Sequence, residues 1–292
     1  MTGTLIIDGN NLIHRTYWTA KNQAVKTNTA DSPEQINNLH IYFTLNAIFS
    51  YVTKFQPEKT IVVWDEKPDY RVNERKALFS DYKGGRSNDA SPHQNNNVIK
   101  NILRTLGISS IFPRELEADD IIAYICKSFE GKKVVVSVDK DFIQLIDATV
   151  TLYDPIRKIE YNYSNLLSLT GYDDVVTWFN VKCLTGDKSD NVPGIPKFGK
   201  VKIKKYLNGE FELTEEEQAI YDRNNSLFNL NKVMHNEVER EYYREQLSNK
   251  VDSSWNEFII ECKNHHFNNI LVKKDQWYSL FFLRNKLQTL FK

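Results

Sequence analysis

The sequence predicts an α/β fold with a mostly parallel central sheet and helices on both faces, and three short runs predict it. Thr4-Leu5-Ile6-Ile7 runs into Asp8, Thr60-Ile61-Val62-Val63-Trp64 into Asp65, and Lys133-Val134-Val135-Val136-Ser137-Val138 into Asp139. Each is apolar and rich in β-branched residues, which is the composition of a strand buried on both faces of a parallel sheet. Helical stretches lie between them, and strands alternating with helices give a doubly wound sheet. In such a sheet sites form at the carboxyl ends of the strands. An aspartate there is by itself an ordinary turn former. Three at equivalent places converge on one edge.

The helices follow from spacing. Pro33 to Lys54 carries Ile36, Leu39, Phe43, Ala47 and Ile48 near a helical period, and Asn97 to Leu106 and Ala118 to Phe129 also read as helices. Glu66 to Gln94 is polar, and Ser87 to Pro92 is a loop by composition. Ser87 to Asn97 has no apolar stripe to anchor it and is expected to be mobile. Val150 to Tyr161 reads as a hairpin turning at Asp154-Pro155, and the remainder as mainly helical, with Glu210 to Glu217 a linker or solvated helix start.

Composition excludes several classes. The 292 residues carry 38 basic and 38 acidic side chains and few Pro or Gly, so wholesale disorder is excluded. No apolar run approaches a membrane span and the N-terminus lacks a signal-peptide pattern, which points to a cytoplasmic protein. Cys126, Cys183 and Cys262 are odd in number and far apart, against a disulfide framework or a cysteine zinc site. The adjacent pair His265-His266 reads as a polar surface pair, since no ligand partner sits at a useful spacing. Neutral net charge does not suggest a generic nucleic-acid binder. Its distribution does: Asn191 to Asn208 holds Lys197, Lys200, Lys202, Lys204 and Lys205 and no acidic residue, and a second basic cluster spans Arg71 to Arg86.

The acidic residues form a constellation. Glu117-Ala118-Asp119-Asp120 opens a helix, Asp139-Lys140-Asp141 closes the third strand, and Asp187-Lys188-Ser189-Asp190 follows another helix. Glu117 and Asp120 share a helical face, either to bind or merely to cap the first turn. So many carboxylates in one pocket would repel unless cations were present. An oxygen-only donor set favours Mg²⁺ or Mn²⁺. Two such ions about 4 Å apart can activate water and stabilise a leaving oxygen in phosphoryl transfer.

Six stretches then carry a family resemblance: IIDGNN at Ile6–Asn11, VVWDE at Val62–Glu66, YKGGR at Tyr82–Arg86, LEADD at Leu116–Asp120, SVDKDFIQL at Ser137–Leu145 and LTGDKSDNVPGI at Leu184–Ile195. In this order the sequence resembles the 5′-nuclease superfamily of flap endonucleases, polymerase-associated 5′-nuclease domains and phage 5′-exonucleases. The resemblance implies a first metal cluster at Asp8, Asp65, Glu117, Asp119 and Asp139, and a second at Asp141, Asp187 and Asp190 with Asp139 nearby. Asp120 is implied to reach a metal directly or through water. Lys83 is implied beside the scissile phosphate at the base of a helical arch, Arg86 and Arg75 around it, and Tyr82 stacked on a base. Asn191 to Leu207 resembles a helix–hairpin–helix-like duplex-binding element with a K⁺ site, which Gly194 and Gly199 fit. Lys197 stands where a glycine is usual, and Val201 lies between Lys200 and Lys202.

The resemblance further implies an α/β nuclease domain over 1–185, with the arch at about 70–105, and a helical region over 186–292. Its expected substrates are branched or nicked DNA and RNA–DNA duplexes with a 5′ end, and the task implied is removal of primers or flaps in replication by a monomer. The size and the segment Ala219 to Glu239 lean towards the phage ribonuclease H type, and an end at Lys292 towards a free-standing nuclease. Gln288 to Phe291 faintly resembles a sliding-clamp tail peptide; single-strand-binding protein is the other partner expected. Two rivals remain open at this level: a PIN-type ribonuclease, which lacks the arch and duplex element, and a non-catalytic binder of branched DNA.

Overall fold

The computed structural model describes residues 3–29, 32–65, 69–85, 89–114, 116–230 and 237–283, with the backbone alone at 69–73. Its chain order is β1 (Thr4–Asp8), α1 (Gly9–Lys26), α2 (Pro33–Phe55), β2 (Lys59–Val63), α3 (Asp69–Leu78), α4 (Asn96–Thr105), β3 (Ser109–Ile111), α5 (Ala118–Ser128), β4 (Lys133–Val136), β5 (Val150–Asp154) and β6 (Ile159–Tyr161). There follow α6 (Leu166–Thr170), α7 (Val175–Thr185), β7 (Gly186–Asp187), β8 (Val192–Pro193), α8 (Lys200–Leu207), α9 (Glu215–Phe228), α10 (Glu237–Ser248), α11 (Trp255–Asn264), α12 (Asn268–Val272) and α13 (Lys274–Tyr278).

The six-stranded sheet has the order β3-β2-β1-β4-β5-β6 and is parallel except for the antiparallel hairpin β5–β6. β1 lies between β2 and β4, so consecutive connections leave it in opposite directions. That makes the carboxyl ends of β1 and β4 the switch point where a crevice opens. All five residues of β1 are buried, as an inner parallel strand requires. Two of the strands end earlier than the sequence suggested: β2 stops at Val63 and β4 at Val136, and the chain bends before reaching Asp65 and Asp139.

One core layer joins α1, α2 and α4 to the sheet through Leu12, Ile48, Ile102 and Leu103; Phe258, Ile270, Trp277 and Phe281 of the C-terminal helices lie in the same layer. The opposite layer packs α5 on the sheet and includes Leu230, Tyr243 and Leu247. Residues beyond 185 thus contribute to both layers of the α/β body. α4 packs on the α/β body, with Ile99, Ile102 and Leu103 fully buried. The segment before α4 is anchored by polar contacts where no apolar stripe exists. Pro92 and Asn95 are buried, and Asn95 Nδ2 lies 3.1 Å from both Asn37 Oδ1 and His40 Nδ1 of α2. Among the described residues no helix is long and apolar enough to cross a membrane.

Candidate active site

Asp8 is the last residue of β1 and the N-cap of α1. Its Oδ1 accepts from the Asn11 N–H at 3.0 Å and its Oδ2 from the Ser137 hydroxyl at 2.8 Å. One carboxylate thus ties β1, α1 and the end of β4 together. Gly9 permits this junction: a Cβ there would stand 2.7 Å from the Val63 carbonyl oxygen and 2.8 Å from the Trp64 ring. Burial pushes the Asp8 carboxyl up to about 6, with Asp139 and Asp65 adding repulsion against the two hydrogen bonds.

Asp119, in the first turn of α5, is pushed up to about 7 by burial and by Asp8, Asp65 and Asp120, with Lys83 opposing. Asp139 caps the 3₁₀ turn Lys140–Leu145, accepting from the Asp141 N–H at 2.8 Å. Burial raises its pKa, and Asp119 and Asp190 repel it further. Asp141 is raised to about 7 by burial and by Asp139 and Asp187, against the pull of Lys182. The mutual repulsion runs in two sets that meet at Asp139: Asp8, Asp65 and Asp119 on one side, Asp141, Asp187 and Asp190 on the other.

Lysines already stand among these carboxylates. Lys83 Nζ donates to Glu117 Oε1 at 2.8 Å, and its backbone N–H donates to the Asp190 carbonyl at 2.9 Å. Lys182 of α7 pairs with Asp141 and donates to Asp187 Oδ2 at 2.7 Å. Although burial opposes it, the Lys182 ammonium holds the Asp187 carboxyl down at about 2. Sequence reasoning missed Lys182. The signal was a lone lysine in the apolar run Val181 to Leu184, five residues before Asp187. Lys182, Asp139, Asp141 and Asp187 line an open cleft of about 610 Å³. Among the described residues no three acidic, His or Cys side chains are gathered into a preformed metal cage.

Four sequence expectations meet a different arrangement. Arg75, expected at the phosphate path, is 2% exposed, because Glu117, Asp120 at 3.0 Å and the Leu227 carbonyl at 3.1 Å all take its guanidinium. Asp120, expected to reach a metal, faces that arginine instead and closes a capping box with Glu117 at the start of α5. Such a pair holds a strand-to-helix turn in place from the inside. Tyr82, expected to stack on a base, is 3% exposed and packs with Cys183, Leu227 and Phe228. Glu117 is buried between Arg75 and Lys83. Arg86 lies outside the described residues.

The basic element is arranged differently again. Gly194 directly follows β8, which pairs antiparallel with β7, and a Cβ there would meet the Thr185 carbonyl carbon at 2.2 Å. Gly199 is the N-cap of α8, with open space around it. Lys197 has φ +55°, the left-handed region that favours glycine. Lys200 is exposed, whereas Lys202 turns back, with Nζ 3.7 Å from Glu217 and over the rings of Phe198 and Phe211.

The 5′-3′ exonuclease N-terminal resolvase-like domain matches residues 3–171, more than half of the chain. The chain belongs to the 5′-nuclease superfamily. A flap endonuclease Xni from Shewanella denitrificans is 31% identical over 217 residues, covering 71% of this chain and 78% of its own length. A 5′-3′ exonuclease from Aquifex aeolicus is 30% identical over 202 residues, 66% of this chain and 65% of its own length. The chain thus spans slightly less than two thirds of that relative. In fold, the superfamily likeness extends to the bacteriophage T5 5′-exonuclease, with a TM-score of 0.62, 17% identity, and coverage of 85% of this chain and 98% of that one. A second T5 structure, determined with metal ions, has a TM-score of 0.64 at 20% identity, covering 84% of this chain and 98% of that one. Both relatives named here are bacterial proteins, and the likeness to the phage enzyme is one of fold.

Proposed function

We propose that the chain is a divalent-metal-dependent 5′-nuclease that hydrolyses phosphodiester bonds at 5′ ends and branch points of DNA and RNA–DNA duplexes. The observation that carries this reading is the pair of carboxylate sets sharing Asp139 at the switch point of the sheet. Oxygen donors that are buried and mutually repelling, with pKa values pushed up to about 6 and 7, suit hard divalent cations such as Mg²⁺ or Mn²⁺. Asp8, Asp65, Asp119 and Asp139 would hold one ion, and Asp139, Asp141, Asp187 and Asp190 a second. Bound there, divalent ions supply water activation and charge stabilisation at the leaving oxygen.

The chain's own residues do the rest. Lys83, held against Glu117, would stabilise charge developing on the reacting phosphate. Arg75 fixes the N-terminus of α5 and with it the direction of Asp119. Lys182 offsets the second set and is the group an incoming cation would displace. Gly199, Lys200 and the backbone from Val192 to Gly199 offer a phosphate path along a duplex, with K⁺ as the cation that path would take. The test is a 5′-labelled flap and a 5′-recessed RNA–DNA duplex incubated with Mg²⁺ or with EDTA. Cleavage that needs Mg²⁺ and releases 5′-terminal fragments is expected; cleavage surviving EDTA, or binding without cleavage, would overturn the reading.

A further inference from the structure

Away from the carboxylates, two histidines 79 positions apart meet across the base of α1. His14 of α1 and His93, the last residue of the 3₁₀ turn Ser91–His93, bring their Nε2 atoms to 3.2 Å. The ring centroids are 5.1 Å apart and the planes cross at 78°. We propose that His14 and His93 form a binding site for an imidazole-seeking divalent cation of the Zn²⁺ class, distinct from the oxygen-donor edge.

The geometry is that of two ligands on one tetrahedral ion. With Zn–N bonds of about 2.0–2.1 Å, two nitrogens on a tetrahedral edge lie ~3.3 Å apart. Adding the imidazole radius places the ring centroids ~5.2 Å apart, close to what is observed and shorter than a collinear N–H···N pair would give. Both separations are those that two imidazoles on one tetrahedral ion would show.

The neighbouring side chain supports the same protonation state. Asn96 Nδ2 lies 3.3 Å from His93 Nδ1, and Asn96 Oδ1 is buried with no hydrogen-bond partner among the described residues. The two ends of an amide are exchanged by a half-turn, and the hydrogen-bond network decides between them. With the amide turned, Oδ1 accepts from Nδ1–H of His93, so the buried acceptor is satisfied. His93 then presents its Nε2 lone pair to His14. In the metal-free protein His14 Nε2–H can donate to that lone pair; exchanging this one proton for a divalent ion would leave both nitrogens as ligands. A histidine that binds a metal through one nitrogen and donates through the other to a carbonyl oxygen is the usual supporting arrangement.

His40 and Asp89 are close enough to interact electrostatically with His14, and His40 with His93. Among the described residues no third imidazole, thiol or carboxylate completes a cage. With two protein ligands the ion would bind reversibly. Its effect would be mechanical: the turn preceding α4 becomes fastened to α1, the helix that Asp8 caps.

The experiment is calorimetric titration of the full chain with Zn²⁺ in a large excess of Mg²⁺, which occupies oxygen donors but not imidazoles. Wild type is expected to take up one Zn²⁺, and His14→Gln and His93→Gln to lose at least tenfold in affinity. His93→Cys, which keeps a zinc ligand, should retain binding, and Asn96→Asp should tighten it by on the order of tenfold. Equal uptake by wild type and the His14→Gln/His93→Gln double variant, or no uptake by wild type, would overturn the site. So would loss of binding in His93→Cys with its circular dichroism spectrum intact.

Discussion

The acidic edge and the basic element of this chain show opposite uses of burial. At the edge, Asp8 is 7% exposed and Glu117 2% exposed, and burial together with Asp139 and Asp65 raises the proton affinity of Asp8. Around α8, Val201 is 72% exposed and Lys200 stands in solvent. Desolvation makes the carboxylates reactive towards a cation, because charge near charge in a low dielectric cannot be ignored. Exposure makes the lysines suitable for phosphates, whose counterions must be free to leave. A neutral chain can bind and cut a polyanion when its two kinds of charge are kept in different solvents.

The largest effect should come from the residue both carboxylate sets share. Asp139→Asn is expected to reduce Mg²⁺-dependent cleavage by on the order of 10³-fold or more while duplex binding persists. Substantial Mg²⁺-dependent turnover in that variant would detach Asp139 from the chemistry. Next, Lys83→Ala should lower the single-turnover rate by on the order of 10²-fold, with a smaller loss of affinity. A change in affinity alone would move Lys83 from the edge to the binding surface.

Lys182 tests whether the second set is held together by charge. Lys182→Met leaves Asp141 and Asp187 facing each other and should cost about 3 kcal/mol of stability without metal. Added Mg²⁺ should recover more in this variant than in wild type, read as melting temperature at pH 8. Equal Mg²⁺ responses would show that the ammonium is not standing at a cation position.

Proton linkage gives a smaller effect of definite sign. Asp8, Asp119 and Asp141 have folded pKa values above the ordinary 3.8, so their charged forms oppose folding at high pH, and the penalty is relieved as pH falls towards 7 and 6. The metal-free protein should therefore gain on the order of 1–2 kcal/mol between pH 8 and 6.5. Saturating Mg²⁺ should remove or reverse that slope. Below about 6.5, His40 acts the other way: burial lowers its pKa to about 4, and its protonation on acidification opposes folding. A metal-free stability that is flat from pH 8 to 6.5 would mean the edge is wetter than its burial suggests.

The smallest effect belongs to the lysines. Lys200→Ala should reduce the log–log salt slope of duplex binding by about 0.9, the value for one phosphate contact. Lys202→Ala should change it less, because its ammonium faces Glu217 and two aromatic rings. Equal slopes for wild type and Lys200→Ala would place the duplex elsewhere.

Much of the fold was legible because buried parallel strands and amphipathic helices write their periods into the sequence. Thr4 to Ile7, read from its composition, and Pro33 to Lys54, read from its spacing, are such cases. The aspartates at strand ends were legible for the same reason: the ends of strands are visible, and topology brings them together. What spacing could not show was direction. Arg75 stands in a basic cluster, yet folding turns it onto Glu117 and Asp120, contacts 42 and 45 positions away that no local pattern encodes. Lys182, Ser137 and the His14–His93 pair are likewise products of tertiary approach. The C-terminal helices read as a separate region because their partners in the core lie more than a hundred residues upstream.

Lys197 has one more consequence. Its left-handed backbone is the conformation that a glycine would take without strain, and the chain adopts it with a long cationic side chain at a cost of about 1 kcal/mol. The hairpin is therefore specified by torsion angles and not by letters. A search pattern demanding glycine would reject this segment, while a comparison of dihedrals would accept it. Segments of this shape are best sought among non-glycine residues with positive φ as well as among glycines.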